Sequence, residues 1–223
     1  MQAQITIPAF LIRIATAKDI DCLTELHCDS FRPEDHILVI LGKDYVRATY
    51  RWLVTSRQAH CFVADSGPKI IGMVAVYDGS FTKPMFLACL PEFIRSLLRS
   101  PRLIFEKKLW NRLLRHSEPS KEAKRIVEYP GFAQLTVVAV DSLWRGTGIF
   151  PALVEAAKTY SKSRGSVAIR AGVYKFNQPS RRAFAKSGWI EMPELETNDT
   201  VVYVHYLDPE LPNRLGISLP CSS

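Results

Sequence analysis

An alternating strand, a glycine turn and an amphipathic helix follow one another within residues 134–160, and this unit restricts the fold more than any other feature. Residues 134–140 alternate between two faces, as a half-buried strand does. Arg145-Gly146-Thr147-Gly148 then precedes a helix whose apolar stripe runs from Leu153 to Tyr160. Glycines at 146 and 148 allow a sharp turn and leave no Cβ in the path of a ligand. The pattern predicts a strand–turn–helix unit of an α/β protein.

The first turn of this helix is a candidate anion site. Its N–H groups have no partner within the helix, and the positive end of the helix dipole lies there. Arg145 adds a full positive charge, so a phosphate or pyrophosphate is the expected ligand. The alternative is a tight strand–helix connection without a ligand. Dinucleotide-binding and Walker loops are disfavoured, because position 151 is Pro and the sequence has no Gly-Lys-Ser/Thr here.

Strand and helix patterns alternate along most of the chain. This order favours one α/β domain that is interrupted in the middle. Strands are predicted at 10–14, 61–65, 70–77, 133–140, 167–173 and 201–206, and helices at 43–55, 147–164, 177–186 and from about residue 17.

The interruption runs from Phe81 to Tyr129 and is strongly basic. Its eleven Lys/Arg against five Glu give +6 of the chain's formal charge of +7. Short helices joined by turns are predicted, including a basic amphipathic helix from Pro101 to Arg115. Three interpretations stay open for it: a lid that favours an anionic acceptor, a helix on a membrane surface, and packing on the domain or a second subunit through Leu109, Trp110, Leu113 and Leu114.

Composition excludes several classes of protein. Hydrophobic residues make up 47% and charged residues 23%, as in folded proteins rather than disordered ones. No apolar stretch reaches the roughly 18 residues of a spanning helix, and the N-terminus lacks the pattern of a secretory signal. The expected compartment is therefore the cytoplasm. The five cysteines form no C-x-x-C pair, so neither a disulfide framework nor a metal site is predicted.

Two motifs resemble those of the GNAT superfamily of N-acetyltransferases. Residues 140–153 resemble its coenzyme-A motif, R-G-x-G-[IV]-[GA] after a strand, with Phe150 at the last position. Residues 177–189 resemble its second motif, N-x-x-[AS]-x-x-x-[YF]-x-x-x-G-[FW]. The resemblance is strong from Ala133 to Tyr206. The part before it matches in element order only, and the basic interruption looks like an insertion that is atypical of the family.

The resemblance implies a particular fold and domain organisation. The fold would be α/β (α+β), with a mixed, mostly antiparallel sheet flanked by helices. Its fourth and fifth strands would splay apart to admit a pantetheine arm. Residues 1–212 would form a single acyltransferase domain with the basic helical insertion at about 81–130, and residues 213–223 would form a C-terminal tail.

The resemblance also implies acetyl-CoA as the acyl donor and assigns residues to it. Backbone groups of Val138 and Val140 would pair with the pantetheine arm, and Asn177 and Ser180 would touch it. The adenosine 3′-phosphate would be reached by Arg181 or Arg182. The pyrophosphate would lie on the backbone amides of Gly146, Thr147, Gly148, Ile149 and Phe150, with Arg145 beside them.

The implied mechanism is direct attack of a neutral amine on the thioester in a ternary complex, with the Val140 N–H as oxyanion donor. Simple alternation puts Gln134 and Thr136 on the face of the strand shared with Val138 and Val140, where relatives often carry a base. Neither side chain is a base, so both are predicted to position a water.

The titrating groups are less well defined. Glu128, Tyr203 and His205 are the candidates for the base, and the alternative for Tyr203 and His205 is ordinary strand packing. Phe184 stands where many relatives have a tyrosine acid, and Tyr174 is a candidate substitute.

The sequence therefore predicts transfer of an acetyl or short acyl group to a primary amine of a small metabolite or amino-sugar intermediate. The alternative is a sensor or scaffold that binds acyl-CoA without catalysis. A second copy of the chain and an anionic surface at the inner membrane face are compatible partners, whereas nucleic-acid binding has no motif behind it.

Overall fold

Seven strands form one sheet in the part of the chain that the computed structural model describes, which is residues 10–33, 36–107, 109–110 and 129–216. The strands are β1 (Leu11–Ile14), β2 (Ala59–Asp65), β3 (Ile70–Asp78), β4 (Phe132–Val140), β5 (Ala168–Tyr174), β6 (Ile190–Glu191) and β7 (Thr200–Tyr206). Their order in the sheet is β1-β2-β3-β4-β5-β7-β6. Neighbouring strands are antiparallel except for the central pair, β4 and β5, which is parallel.

Helices lie on both faces of this sheet. They are α1 (Ile20–Ser30), α2 (Ile37–Ile40), α3 (Lys43–Thr55), α4 (Thr82–Ala88), α5 (Leu90–Arg99), α6 (Ile149–Ser163), α7 (Gln178–Lys186) and α8 (Leu211–Leu215). Short 3₁₀ turns occur at Ala17–Asp19, Pro101–Phe105, Ser142–Trp144 and Pro193–Leu195.

Two apolar clusters define the two faces. On the α1 face, Leu23 and Leu26 of α1 and Leu53 of α3 belong to one cluster with Met73 and Ala139 of the sheet. On the α6 face, a second cluster contains Ile149, Leu153 and Ala157 of α6, Phe184 of α7, and Ile71, Val74 and Leu135 of the sheet. Because successive side chains of a strand point to opposite faces, the sheet supplies apolar groups to both clusters.

A β-bulge at Thr136 opens the centre of the sheet. Ala75 of β3 pairs with Val137 and the next residue, Val76, pairs with Leu135, so Thr136 is the extra residue on β4. The parallel pairing of β4 with β5 ends at the neighbouring pair, Leu135 with Ala171. Bulges bend the strand that carries them. The predicted splay between the fourth and fifth strands is therefore confirmed, together with the mixed sheet.

The bulge also changes the face of the sheet on which the side chains of β4 before Thr136 lie, relative to those after it. Gln134 pairs with Tyr77, which belongs to the cluster on the α1 face, whereas Val138 and Val140 pack against the cluster on the α6 face. The prediction that Gln134 shares a face with Val138 and Val140 is wrong, because the extra residue, Thr136, shifts the alternation by one. The α6 face of β4 carries the apolar Ala133 and Leu135 at those levels.

The basic insertion packs on α3 in the part that is described. Leu109, Cys89 and Phe93 are buried in a cluster with Tyr45 and Ala48 of α3. The predicted packing of Leu109 is thus confirmed, while Leu113, Leu114 and most of the predicted amphipathic helix lie outside the described residues. The predicted start of that helix is too early, because Pro101–Phe105 forms a 3₁₀ turn and Glu106 is extended. The described residues that follow, Lys107, Leu109 and Trp110, are helical.

The opposite side of the insertion leaves apolar groups in solvent. The exposed large side chains there are those of Leu87, Ile94, Leu98, Ile104 and Phe105. None of the helices within the described ranges combines the length and hydropathy needed to cross a membrane.

Most predicted elements occur within two residues of their expected bounds. The short elements β6, α2 and α8 were not predicted. Helix α8 crosses the expected domain boundary at residue 212, and Leu211 and Leu215 pack against Leu195 and Val204. The domain therefore continues to at least Leu215, and the rest of the predicted tail, residues 217–223, lies outside the described residues.

Gly72 on β3 lets α6 approach the sheet closely, and this contact can be tested. A Cβ at this position would lie 2.8 Å from Ile149 Cγ2 and 3.0 Å from Leu153 Cδ1. We expect Gly72→Ala to lower the free energy of unfolding by about 1–3 kcal/mol through overpacking. Denaturant unfolding measures the loss, with Gly172→Ala as the control because its Cβ would meet only Thr200 Cγ2 at 3.2 Å. Equal losses in the two variants would contradict this account of Gly72.

Candidate active site

The glycine turn presents a row of unused backbone amides. Gly146 and Gly148 have φ values of +82° and +87°, and a Cβ on either would meet nothing within 4 Å. The first backbone amide that bonds back into α6 is that of Ala152, which donates to the Gly148 carbonyl at 3.2 Å. Among the described residues no carbonyl accepts from the N–H groups of residues 146–150. Because residues 145–148 are also exposed, the turn can receive an anion.

Asp141 fixes the start of this turn. Its carboxylate accepts from the Lys69 ammonium at 2.5 Å and from the Leu143 N–H at 3.0 Å. Its own N–H donates to the Ile71 carbonyl of β3 at 2.9 Å. The Lys69 ammonium, with the Leu143 amide, holds the pKa of Asp141 below its ordinary value. The β2–β3 hairpin is thereby tied to the turn, which is positioned before any ligand arrives.

The open edge of β4 leads to the turn. Because the Asp141 N–H points to β3, and successive peptide groups of a strand point in opposite directions, the backbone groups of Val138 and Val140 point towards the opening. Pairing with β5 ends at Leu135, so no strand partner reaches them. Arg145 Nε donates to the Val140 carbonyl at 3.3 Å, which brings this side chain back over the opening.

The second motif begins α7 on the same face of the sheet. Asn177 Oδ1 accepts from the Ser180 N–H at 3.1 Å, so Asn177 is the N-cap of this helix. Arg181 is already engaged, with both Glu191 oxygens at 3.3 Å and the Tyr203 hydroxyl at 3.5 Å. Arg182 is exposed and has no ion pair within the described ranges.

Two of the predicted titrating groups do not reach the opening. The Tyr203 hydroxyl donates to Glu191 Oε2 at 2.7 Å, which directs it towards β6 and away from β4. Burial raises the pKa of Tyr203 and lowers that of His205. His205 belongs to β7, and its Nδ1 lies 3.3 Å from the Gly188 carbonyl. Glu128 lies outside the described residues.

Phe184 has a packing role. It is buried between Phe150 and Trp189, which meet it edge-on, and Tyr203, which stacks on it with ring centroids 5.6 Å apart. The Tyr203 hydroxyl donates to Glu191. Tyr174, the predicted substitute for the acid, stacks on Phe176 with ring centroids 5.3 Å apart.

Gln134 and Thr136 lie at the base of the opening. Gln134 Oε1 accepts from Arg170 at 3.3 Å, and the Thr136 hydroxyl donates to the Ala75 carbonyl at 3.2 Å. Arg170 and Gly172, on the α1 face of β5, were missed by the sequence interpretation. An arginine inside the otherwise apolar run from Ala168 to Val173 was the available signal.

The comparisons with known proteins agree with this geometry. The profile of the acetyltransferase (GNAT) family matches residues 20–189. No protein of curated function matches the chain in sequence. Solved structures share its fold: PaiA N-acetyltransferase from Thermoplasma acidophilum in complex with coenzyme A is 11% identical, with a TM-score of 0.57 over 89% of this chain and 99% of that one.

Two further solved structures, from other organisms, have similar sequence identities and TM-scores. The ribosomal-protein-S18-alanine N-acetyltransferase of Escherichia coli is 10% identical, with a TM-score of 0.54 over 90% of this chain and 95% of that one. NAA60 of Arabidopsis thaliana, in complex with a bisubstrate analogue, is 13% identical, with a TM-score of 0.56 over 89% and 98%. At these identities the likeness shows the fold, and the profile match shows the family. The chain belongs to the GNAT family of acetyl-CoA-dependent N-acetyltransferases.

Proposed function

We propose that this chain acetylates the primary amine of a small metabolite or amino-sugar intermediate, by direct attack on acetyl-CoA in a ternary complex. The observation that carries the proposal is the continuity of two backbone surfaces that lack a helix or strand partner, where the Val140 carbonyl accepts only from the Arg145 side chain. The amides of residues 146–150 adjoin the open edge of β4 at Val138 and Val140. One surface suits a pyrophosphate and the other suits the amide groups of a pantetheine arm.

The donor fits the residues present. Five consecutive amides and the Arg145 guanidinium would hold the pyrophosphate, and Val138 and Val140 would pair with the pantetheine arm. Asn177 and Ser180 begin the helix beside it. Arg182 is the better candidate for the 3′-phosphate, because Arg181 is paired with Glu191. When bound, the donor supplies an activated acetyl thioester.

The protein's part in the chemistry is to orient groups and to receive a proton. The bond that forms joins the amine nitrogen to the acetyl carbon, the bond that breaks is C–S, and the amine proton passes to water or a base. The Val140 N–H, which has no strand partner on the β5 side, would donate to the acetyl oxygen. Gln134 and Thr136 can orient a water. A thiol with an ordinary pKa of about 8.5 can leave as the thiolate without an acid, which is compatible with Phe184.

The chemical class of the acceptor distinguishes this proposal from acetylation of a protein and from acyl-CoA binding without catalysis. The name of one structural neighbour points to a protein substrate, a ribosomal protein. A screen should therefore present acetyl-CoA with small amines, amino sugars and peptide N-termini, and follow free thiol. Thiol release with small amines supports the proposal, release only with peptides overturns its acceptor class, and binding without release identifies a non-catalytic acyl-CoA protein.

Gly148 tests the donor site. We expect Gly148→Val to weaken acetyl-CoA binding by at least about tenfold, which is ~1.4 kcal/mol, because the new side chain strains the left-handed backbone and fills the space over the amides. Titration calorimetry measures the affinity.

The matched control is Gly165→Val, just after the C-terminal end of α6. Gly165 has a φ of +83° and equally open surroundings, so the backbone strain is similar. This variant should bind acetyl-CoA like the unmodified chain. Unchanged binding by Gly148→Val would remove the basis of the proposed donor site.

Asp141 tests the positioning of the turn. Asp141→Asn loses the ionic bond to Lys69 but keeps an acceptor for the Leu143 amide. We expect about two- to tenfold weaker acetyl-CoA binding, because the looser turn must be ordered by the ligand. Glu25→Gln breaks an exposed ion pair with Lys43 away from the site and should have no effect on affinity. The same affinity in both variants would argue against a role for Asp141.

We also propose that the basic insertion contacts an anionic membrane surface, which its net +6 charge and its exposed apolar side chains support. The chain should sediment with vesicles containing anionic lipid and stay in solution with neutral ones. Leu98→Asp, at a side chain 75% exposed, should reduce the bound fraction, whereas Leu11→Asp, 65% exposed on β1, should not. Equal binding to both kinds of vesicle would contradict the proposal. The cytoplasmic location and a homodimer stay predictions.

A further inference from the structure

Arg170 is a cation without a matching anion in the described part of the chain. Its guanidinium is half-buried on the α1 face of β5, and its one hydrogen bond there is to the neutral Gln134 Oε1, at 3.3 Å. No carboxylate of the described residues forms an ion pair with it. Burial lowers the pKa of Arg170, and no charged neighbour offsets that effect. Within the described residues, most of the five N–H donors of the guanidinium therefore have no acceptor.

Its place in the sheet is at the base of the opening. Gln134 and Arg170 form the pair next to Leu135 and Ala171, the last pair between β4 and β5. The side chain lies on the face opposite α6, and the donor's pyrophosphate seat is at the N-terminus of α6. With the donor on the α6 face, an amine that approaches the thioester from the α1 face therefore passes over Arg170.

The neighbouring position leaves room for that amine. Gly172 is the next residue of β5 on the α1 face, and it is exposed. A Cβ there would meet only the methyl group of Thr200, at 3.2 Å. The strand thus presents an uncovered stretch of backbone directly beside the guanidinium. An anchoring charge and an adjacent gap occur together at the point where the strands separate.

We propose that Arg170 binds a carboxylate or phosphate group of the acceptor, so that the substrates of this chain are primary amines that also carry an oxyanion. A guanidinium binds either group through two parallel hydrogen bonds and fixes the orientation of its ligand. Gln134 acts as a positioning residue, since its amide oxygen holds one side of the guanidinium. This inference rests on the proposed function, whose acceptor class it narrows.

The test uses matched pairs of amines and needs no turnover. β-Alanine is compared with propylamine, and phosphoethanolamine with ethanolamine, by calorimetry on the full chain saturated with free coenzyme A. The anionic member of at least one pair should bind more tightly. Arg170→Met should cost that member about 10- to 100-fold in affinity and leave the neutral member unchanged. Arg51→Met removes an exposed arginine of α3 and is the control. The pair that shows the preference identifies the oxyanion.

Gln134→Glu gives an independent result. It places a carboxylate where an oxygen already lies 3.3 Å from Arg170, so the internal ion pair should raise the melting temperature and abolish the preference for anionic amines. A merely structural role of Gln134 predicts no change in that preference. In assays with acetyl-CoA, the same variant should raise KM for the anionic acceptor more than it lowers kcat. Arg170→Lys should retain part of the preference.

The outcomes separate this inference from the proposed function. Equal affinity for both members of every pair, or an anion preference that survives Arg170→Met and Gln134→Glu, overturns the inference. A lower melting temperature of Arg170→Met with unchanged binding also overturns it, because Arg170 would then be paired within the protein. Failure of the unmodified chain to release thiol overturns the proposed function, whereas the preference for anionic amines would still be measured on the chain saturated with coenzyme A. If the chain does not bind acetyl-CoA, the proposed function is overturned as well, and the preference is then measured without coenzyme A.

Discussion

Strand β4 carries one residue more than β3 between its paired positions, and Thr136 is that residue. On the β3 side the pairing resumes beyond it, whereas on the β5 side it stops one position earlier, at Leu135. A buried backbone group without a partner is unfavourable, so an opening inside a sheet is expected to be filled by water or a ligand. The bulge therefore coincides with the end of the β4–β5 pairing, beyond which the backbone groups of Val138 and Val140 have no strand partner on the β5 side.

The glycine turn is useful because rigid elements hold it beside that opening. Helix α6 lies close to β3 at Gly72, and Asp141 joins the turn to the β2–β3 hairpin. Donors fixed in this way need little reorganisation when an anion binds. The basic insertion is attached differently, through a separate apolar cluster on α3. Changes in the insertion can therefore alter the acceptor side or a surface contact while the donor side stays intact.

Local patterns predicted the elements and the glycine turn well. The periods of strands and helices, the N-cap Asn177 and the glycines at 146 and 148 act within a few residues of sequence, so they could be interpreted without the fold. The faces of β4 could not, because the bulge exists only in the register with β3. Arg170 was missed for a related reason: its isolation depends on which side chains β4 and β7 place around it. Two- and five-residue elements such as β6 and α8 carry too little periodicity to be recognised.

The reversal at Thr136 has a consequence for how such a chain can diversify. Along β4 and β5, some side chains face α6 and the others face α1. The bulge determines which side chains of β4 lie on each face. Substitutions at Gln134, Arg170 or Gly172 can thus change which amine is preferred as the acceptor, while the binding site of the donor stays the same. Gain or loss of a single residue in β4 would instead exchange the side chains on the two faces at once. We expect natural variation here to proceed by replacement, with the length of β4 held constant.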